Sequence, residues 1–433
     1  MSGPIPGHGE RQVFGDDVGQ QEAGYSVRDC EDVRWKGRDA VRLTNGIIEL
    51  ISLTGGGHLA SLRFIPQQGK SFTNVLWEAP WATLDPGREW SEDLTRIYGA
   101  AEIGKFLASY AGHALCLDYF GEPSQESISL GLSLHGEAAI TQWKTLHPAN
   151  PERTHCRWRV ELPTRQLSLE RDIRLVDEQS VVYVQETVSN GRDEAYLFDW
   201  VQHVTLGPPF LRRGRSTLMA SARRGITWEH AYEGGALLTA GSQFIWPFAS
   251  REEERGVADL QQPFLMEGRS FLAGTQLDPA RETEFILAVN WESRLGVGYC
   301  FRRCDFPWMA VWEENHSRQN SPWNGITAAR GMEFGTTPLP FGEQEFHQRR
   351  RVFDIPTGCL ISARGQKTAK YLIFLFQVPL DVSSIHEVAA VGDAIALYDD
   401  QRNAVVSIPA DGCEAFLAQA GAPENGYARV DSL

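Results

Sequence analysis

The sequence predicts an all-β protein with few short helices. Two observations carry that prediction. Turn formers and aromatics are both plentiful, with 41 Gly, 22 Pro, 13 Trp and 21 Phe in 433 residues, a mixture suited to many strands joined by tight turns. Runs in which apolar and polar residues alternate, as they do along a strand with two unlike faces, recur through most of the chain.

Residues 1–40 form a polar leader with little pattern, and residues 41–355 read as one continuous β body. Residues 356–433 add YLIFLFQVPL, VAAVGDAIALYDD and AVVSIPAD, further strands expected to pack on the same body. The best helical signal is SEDLTRIYGAAEIGKFLAS (91–109), where Leu94, Ile97, Tyr98 and Ala101 follow helical spacing behind a Ser91 cap. In RQLSLERDIRLV, Leu167, Leu169, Ile173 and Leu175 alternate with polar residues. VVYVQETV (181–188) and AYLFDWVQHVTL (195–206) flank Asn190-Gly191, which predicts a hairpin because both turn residues accept positive φ. Asn45-Gly46 and Asn324-Gly325 mark two more turns.

The formal net charge of −15 argues against nucleic acid or an anionic membrane surface as partner, since each is bound through a basic face. The N-terminus lacks an apolar signal core and no stretch approaches a membrane span, so a cytoplasmic protein is expected. Seven scattered Cys do not form a disulfide framework, and the Cys300/Cys304 pair lacks a second ligand pair for zinc. Nucleotide-binding glycine motifs, zinc-protease motifs and the nucleophile elbow are absent, which leaves acid–base chemistry by His and carboxylate open.

Splitting each expected strand into its two faces isolates three residues. In AYLFDWVQHVTL one face carries Tyr196, Phe198, Trp200, Val204 and Leu206, with Gln202 as its polar exception; the other carries Asp199, Val201, His203 and Thr205. In SLGLSLHGEA, Leu130, Leu132 and Leu134 oppose Ser129, Gly131, Ser133 and His135. In ITAARGMEFG, Ile326, Arg330, Met332 and Phe334 oppose Thr327, Ala329, Gly331 and Glu333. A face of small side chains bearing His or Glu is either solvent-facing or the floor of a concave site.

The ordered set His135, His203, Glu333 resembles the aldose 1-epimerases (galactose mutarotases) and the wider mutarotase-like supersandwich proteins. NGIIELISLTGGGHLASLRF (45–64) is similar to their N-terminal strand-turn-strand, and LHGEAAITQW (134–143) to their His-Gly motif followed by a Trp. WVQHVTLGPPF corresponds in position to their second His, and RGMEFGTTPLP to the late strand with their base. The resemblance spans roughly residues 41–355 and implies a large antiparallel β-sandwich binding a sugar in a surface cleft, without cofactor or metal. It implies Glu333 as general base, His203 as general acid and His135 as a hydrogen-bonding partner of the ring oxygen or a neighbouring hydroxyl. The chain departs from the family pattern at Ala139, Asp199, Gly207 and Pro208-Pro209, and Phe334 rather than Pro follows Glu333.

Weaker candidates for contact with a sugar are His113 and Asp118, or else these are satisfied structural groups. Asp199 and Glu313 join them, the latter from VWEENHS, a segment that lines the cleft or forms a loop. Trp143 and Trp312 are stacking platforms or core. The resulting expectation is a carbohydrate mutarotase whose partner is a small-molecule sugar. A carbohydrate-binding protein without catalysis is the alternative, as is a sugar-cleaving lyase or hydrolase pairing Glu333 with Asp199 or Glu313.

Overall fold

A computed structural model describes residues 29–66, 72–146, 154–230, 232, 234–252 and 256–418. Among these residues the strands build two large antiparallel sheets, one of 14 strands and one of 8, with two smaller sheets beside them. The two large sheets face each other. Phe198, Trp200, Val204, Met309, Val311, Met332 and Phe334 from the first share one core with Leu169, Ile173, Val182, Val184, Ile286 and Ile373 from the second. Period-two alternation is what delivers these side chains to a common layer.

Several strands of the second sheet are buried on their other face as well. Val181, Tyr183, Phe285, Leu287, Leu372 and Phe374 point outward and are covered by Val388, Ile395, Leu397 and Ile408. Those four belong to a three-stranded sheet, Glu387–Val391, Ala394–Tyr398 and Ala404–Pro409, and the helix Cys413–Ala418 adds Leu417. Strand segments covered on both faces need no polar face, which explains the unbroken apolar runs VVYV and YLIFLF.

Two expectations about local structure are corrected. Val181–Asn190 and Tyr196–Leu206 are strands, but they do not pair with each other. The first lies between Leu167–Leu175 and Gln366–Gln377 in one sheet, and the second lies between His113–Asp118 and Ala328–Gly335 in the other. Asn190-Gly191 therefore begins a crossover between sheets, where Nδ2 of the Asn190 side chain donates to the carbonyls of Glu194 and Ser362. SLGLSLHGEA is not a strand: a short helix, Gln125–Ser129, leads into turns through which the chain reaches His135. Asn45-Gly46 does close a hairpin, joining Arg38–Thr44 to Ile48–Leu53. The helical signal at 91–109 is realised as two helices, Glu92–Tyr98 and Ala101–Ser109, separated at Gly99 with φ 92°. Ser91 caps the first by accepting from the Leu94 amide at 3.3 Å.

Between the sheets lies a buried polar network. Arg171 and Glu186 pair at 2.6 Å, and Arg171 also donates to the Gly57 carbonyl and lies over Trp143. Glu186 further accepts from Trp200 Nε1 at 3.1 Å and from Gln202 Nε2 at 2.7 Å. Gln202, the polar exception on an apolar face, is there to satisfy this carboxylate.

Glu284 is a buried acid of another kind. Burial pushes its carboxyl up to about 7 from the usual 4.5, against the weaker opposing effects of the Ser221 hydroxyl and of Arg281 3.9 Å away. A folded state that holds a proton the unfolded chain has released loses stability as pH rises. Its stabilising share is full below about 4.5 and is lost by about 7. Glu284→Gln is expected to flatten the pH–stability curve across this window and to raise the urea midpoint on the alkaline side.

Among the described residues no helix is long and apolar enough to cross a membrane.

Candidate active site

Tyr196–Leu206 and Ala328–Gly335 are central neighbours in the larger sheet, with Val201 opposite Gly335 and Thr205 opposite Gly331. That register sets His203 opposite Glu333 on the face turned away from the inter-sheet core. The imidazole Nε2 and Glu333 Oε1 are 3.4 Å apart. Gly331, on the same face, clears the space: a Cβ there would lie 2.1 Å from Glu333 Oε1. The conflict is with the end of a side chain rather than with backbone, so Gly331→Ala is expected to displace the carboxyl while costing little stability. A loss of any Glu333-dependent activity of at least about tenfold, with an unchanged thermal transition, is the expected result.

His135 arrives from a loop. It has φ 67°, and Gly136 follows with φ 90°, where a Cβ would strike the Leu117 carbonyl at 2.0 Å. The His135 amide donates to the Gly121 carbonyl at 2.9 Å, and the Gly121 amide donates to His135 Nδ1 at 3.1 Å. A backbone N–H has only a proton to give, so Nδ1 is the acceptor and neutral His135 carries its hydrogen on Nε2. Phe106 stands edge-on to this ring at 4.7 Å, Phe120 stacks on it at 5.1 Å, and the His203 ring is 5.2 Å away.

These three groups lie in a cavity of about 570 Å³, within the roughly 300–1,000 Å³ typical of small-molecule sites. Its walls are aromatic. Trp312 comes from the strand Trp308–Asn315 and donates its indole N–H to the Tyr232 hydroxyl. Arg318 lies over the rings of Tyr232 and Trp323, at 5.1 and 4.7 Å. Trp228, Phe341 and Tyr110 extend the wall, while Glu122, His230 and Glu345 bring polar groups into the lining.

Burial decides the charge states. It pushes Glu333 well above the usual carboxyl range, lowers His203 to about 3, and carries His135 well below its ordinary value. Each group alone resists ionisation in this enclosure. At the mouth, Glu229, His230 and Glu345 place ligand atoms within 4.8 Å of one another, the one such trio among the described residues. Arg349 pairs with both carboxylates, so their charge already has a cation.

No family model and no curated protein matches the sequence. Solved structures do match. A proposed aldose 1-epimerase from Klebsiella pneumoniae superposes with a TM-score of 0.56 at 13% identity, over 80% of this chain and 83% of that one. A galactose mutarotase-like protein from Clostridium acetobutylicum gives 0.52 at 10% identity, over 81% and 99%. This chain has the galactose mutarotase-like fold. At such identities the likeness is one of fold, and a fold alone does not fix a chemistry.

Within the mutarotase-like fold, Trp312 joins His135, His203 and Glu333 in the cavity lining, and five other candidates do not. His113 faces the inter-sheet core, where Nε2 meets Gln202 Oε1 at 2.9 Å. Asp118 is paired with Arg165 and accepts from the Tyr196 hydroxyl. Trp143 is core, its N–H given to the Ala138 carbonyl at 3.0 Å. Asp199 shares the strand face of His203 but is completely buried and accepts from the Phe120 amide at 3.3 Å. Glu313 forms a fully buried pair with Arg330 at 3.1 Å on the opposite face of its strand from Trp312. The mutarotase-like fold also draws in Phe106, Tyr110, Trp228, Tyr232, Arg318 and Trp323, none of which the motifs pointed to. They come from helix ends and loops far apart in the chain, and only the abundance of aromatics hinted at them.

Proposed function

We propose that the protein is a carbohydrate mutarotase that interconverts sugar anomers by general acid–base ring opening. One observation supports this above the rest: a carboxyl and an imidazole stand in contact at the bottom of a cavity whose walls are aromatic rings. Such rings stack on the C–H faces of a pyranose, leaving its polar edge to the buried groups.

The reaction asks for two proton transfers at one carbon. The pair starts as Glu333 carboxylate and His203 imidazolium, opposite charges that offset the burial each would resist alone. Glu333 takes the proton of the anomeric hydroxyl as the bond from C1 to the ring oxygen breaks, and that oxygen receives the Nε2 proton of His203, which leaves both groups neutral. The C1–C2 bond turns, and closure on the other carbonyl face reverses both transfers. His135 Nε2–H donates to the ring oxygen or a neighbouring hydroxyl, steadying the sugar. Because lone charges are disfavoured here, coupled transfer through two adjacent groups suits the site better than a free carboxylate or imidazolium.

The cleavage alternative wants two carboxyls about 5–10 Å apart around the scissile bond. Its candidate partners for Glu333, Asp199 and Glu313, are engaged elsewhere. A binding protein without catalysis remains the second reading. Polarimetry on freshly dissolved α-anomers of hexoses, pentoses and sugar phosphates separates the readings. Faster decay of rotation supports mutarotation, saturable binding without acceleration supports the sensor, and new reducing ends support cleavage.

A further inference from the structure

Three polar atoms meet behind the His203 ring. Its Nδ1 lies 3.1 Å from the Tyr110 hydroxyl and 3.2 Å from that of Thr205, and the two hydroxyls hydrogen-bond to each other. Tyr110 is 1% exposed and Thr205 0%, so neither reaches bulk water. Burial also raises the Tyr110 phenol well above its usual range, so it keeps its proton.

Counting hydrogens decides how the triangle is wired. If Nδ1 is bare, one hydroxyl donates to it and the other donates to the first hydroxyl, and both hydrogens are used. If Nδ1 carries hydrogen, one hydroxyl hydrogen has no acceptor among the described residues. An orphaned buried donor biases the balance by roughly tenfold or more.

We propose that Tyr110 and Thr205 are positioning residues that hold His203 as its Nε2–H tautomer, so that its single proton faces Glu333 and the cavity. The neutral ring then presents Nε2–H rather than a lone pair to Glu333, and the imidazolium that serves as acid forms when Nδ1 takes the second proton. The pair is kept from closing on itself, and both partners stay available to a ligand. Among the other neighbours, His135 has its Nδ1 taken by Gly121, and Phe106, Phe120 and Trp312 present rings. Only Glu333, 3.4 Å from Nε2, pulls the other way, and its carboxyl hydrogen has the cavity to turn into, an outlet the two enclosed hydroxyls lack. The tautomer follows from hydrogen-bond counting alone, while its catalytic consequence rests on the mutarotase reading.

The test is a long-range ¹H–¹⁵N correlation spectrum of ¹⁵N-histidine protein at neutral pH without ligand, with His203 assigned by its loss in His203→Gln. The expected wild-type pattern is an unprotonated Nδ1 and a protonated Nε2. Tyr110→Phe and Thr205→Val each leave one hydroxyl on Nδ1 and should keep the pattern. The double variant removes both, leaving the residue's own carbonyl as partner for an Nδ1 proton, and should populate Nδ1–H. In polarimetry the double variant should lose at least about tenfold in kcat with a smaller change in KM. A protonated Nδ1 in the wild type, or a double variant that retains the wild-type tautomer, overturns the assignment. The wild-type spectrum decides the matter even if the double variant does not fold. If the tautomers are as expected and no sugar is turned over, the assignment stands and the mutarotase reading falls.

Discussion

Glu333→Gln is expected to lower mutarotation by about 10²–10⁴-fold while leaving sugar binding largely intact. The amide has nearly the shape of the carboxyl and keeps an oxygen toward His203, so the cavity is preserved. What it lacks is the ability to take a proton from the anomeric hydroxyl. Polarimetry on the variant, with binding followed by tryptophan fluorescence, measures the two effects separately. Trp312 and Trp323 line the cavity, so the fluorescence probe sits where the ligand would. Retained turnover in this variant would remove Glu333 from the base role, and lost binding would give it a structural one.

Arg171→Met is expected to destabilise the fold by about 3–5 kcal/mol. Arg171 is 1% exposed and Glu186 0%, and the pair sits between the two sheets. Removing the cation strands a buried carboxylate whose other partners, Trp200, Gln202 and the Tyr371 hydroxyl, are all neutral donors. The variant also gives up the stacking on Trp143 and the bond to the Gly57 carbonyl. Urea midpoints measure the loss. Changing both partners, Arg171→Met with Glu186→Gln, should recover part of it, because the orphaned charge rather than the missing attraction is the larger cost. A single variant as stable as the wild type would show that the pair contributes nothing net.

The residues themselves explain how far the sequence could be read. Tyr196–Leu206 and Ala328–Gly335 alternate with few exceptions, Gln202 and Arg330 among them, so the face carrying His203 and the face carrying Glu333 are legible in the sequence. Their contact is not, because it depends on strand register across a gap of more than a hundred residues. Alternation misled at His135, whose placement comes from left-handed turns at His135 and Gly136 rather than from a strand. It misled again at Asp199, because a polar residue on a strand face need not reach a cavity. Glu313, read as cleft or loop, lies instead on the strand Trp308–Asn315 and is paired with Arg330. Asn190-Gly191 has the chemistry of a hairpin turn and serves a crossover instead, because the apolar faces of its two flanking strands are buried in different sheets. The aromatic wall was hidden for a simpler reason: its members share no local pattern.

The two hydrogen bonds between Gly121 and His135, one backbone to backbone and one from the Gly121 N–H to the imidazole, have a practical consequence for redesign. They pin the imidazole from the chain positions at the two ends of the intervening loop, so the loop's length is mechanically separated from the position of its last residue. Glu122 and Leu134, just inside the clasp, both line the cavity. Insertions or deletions within 123–133 therefore offer a way to reshape one side of the cavity's entrance while the proton-handling groups stay where they are.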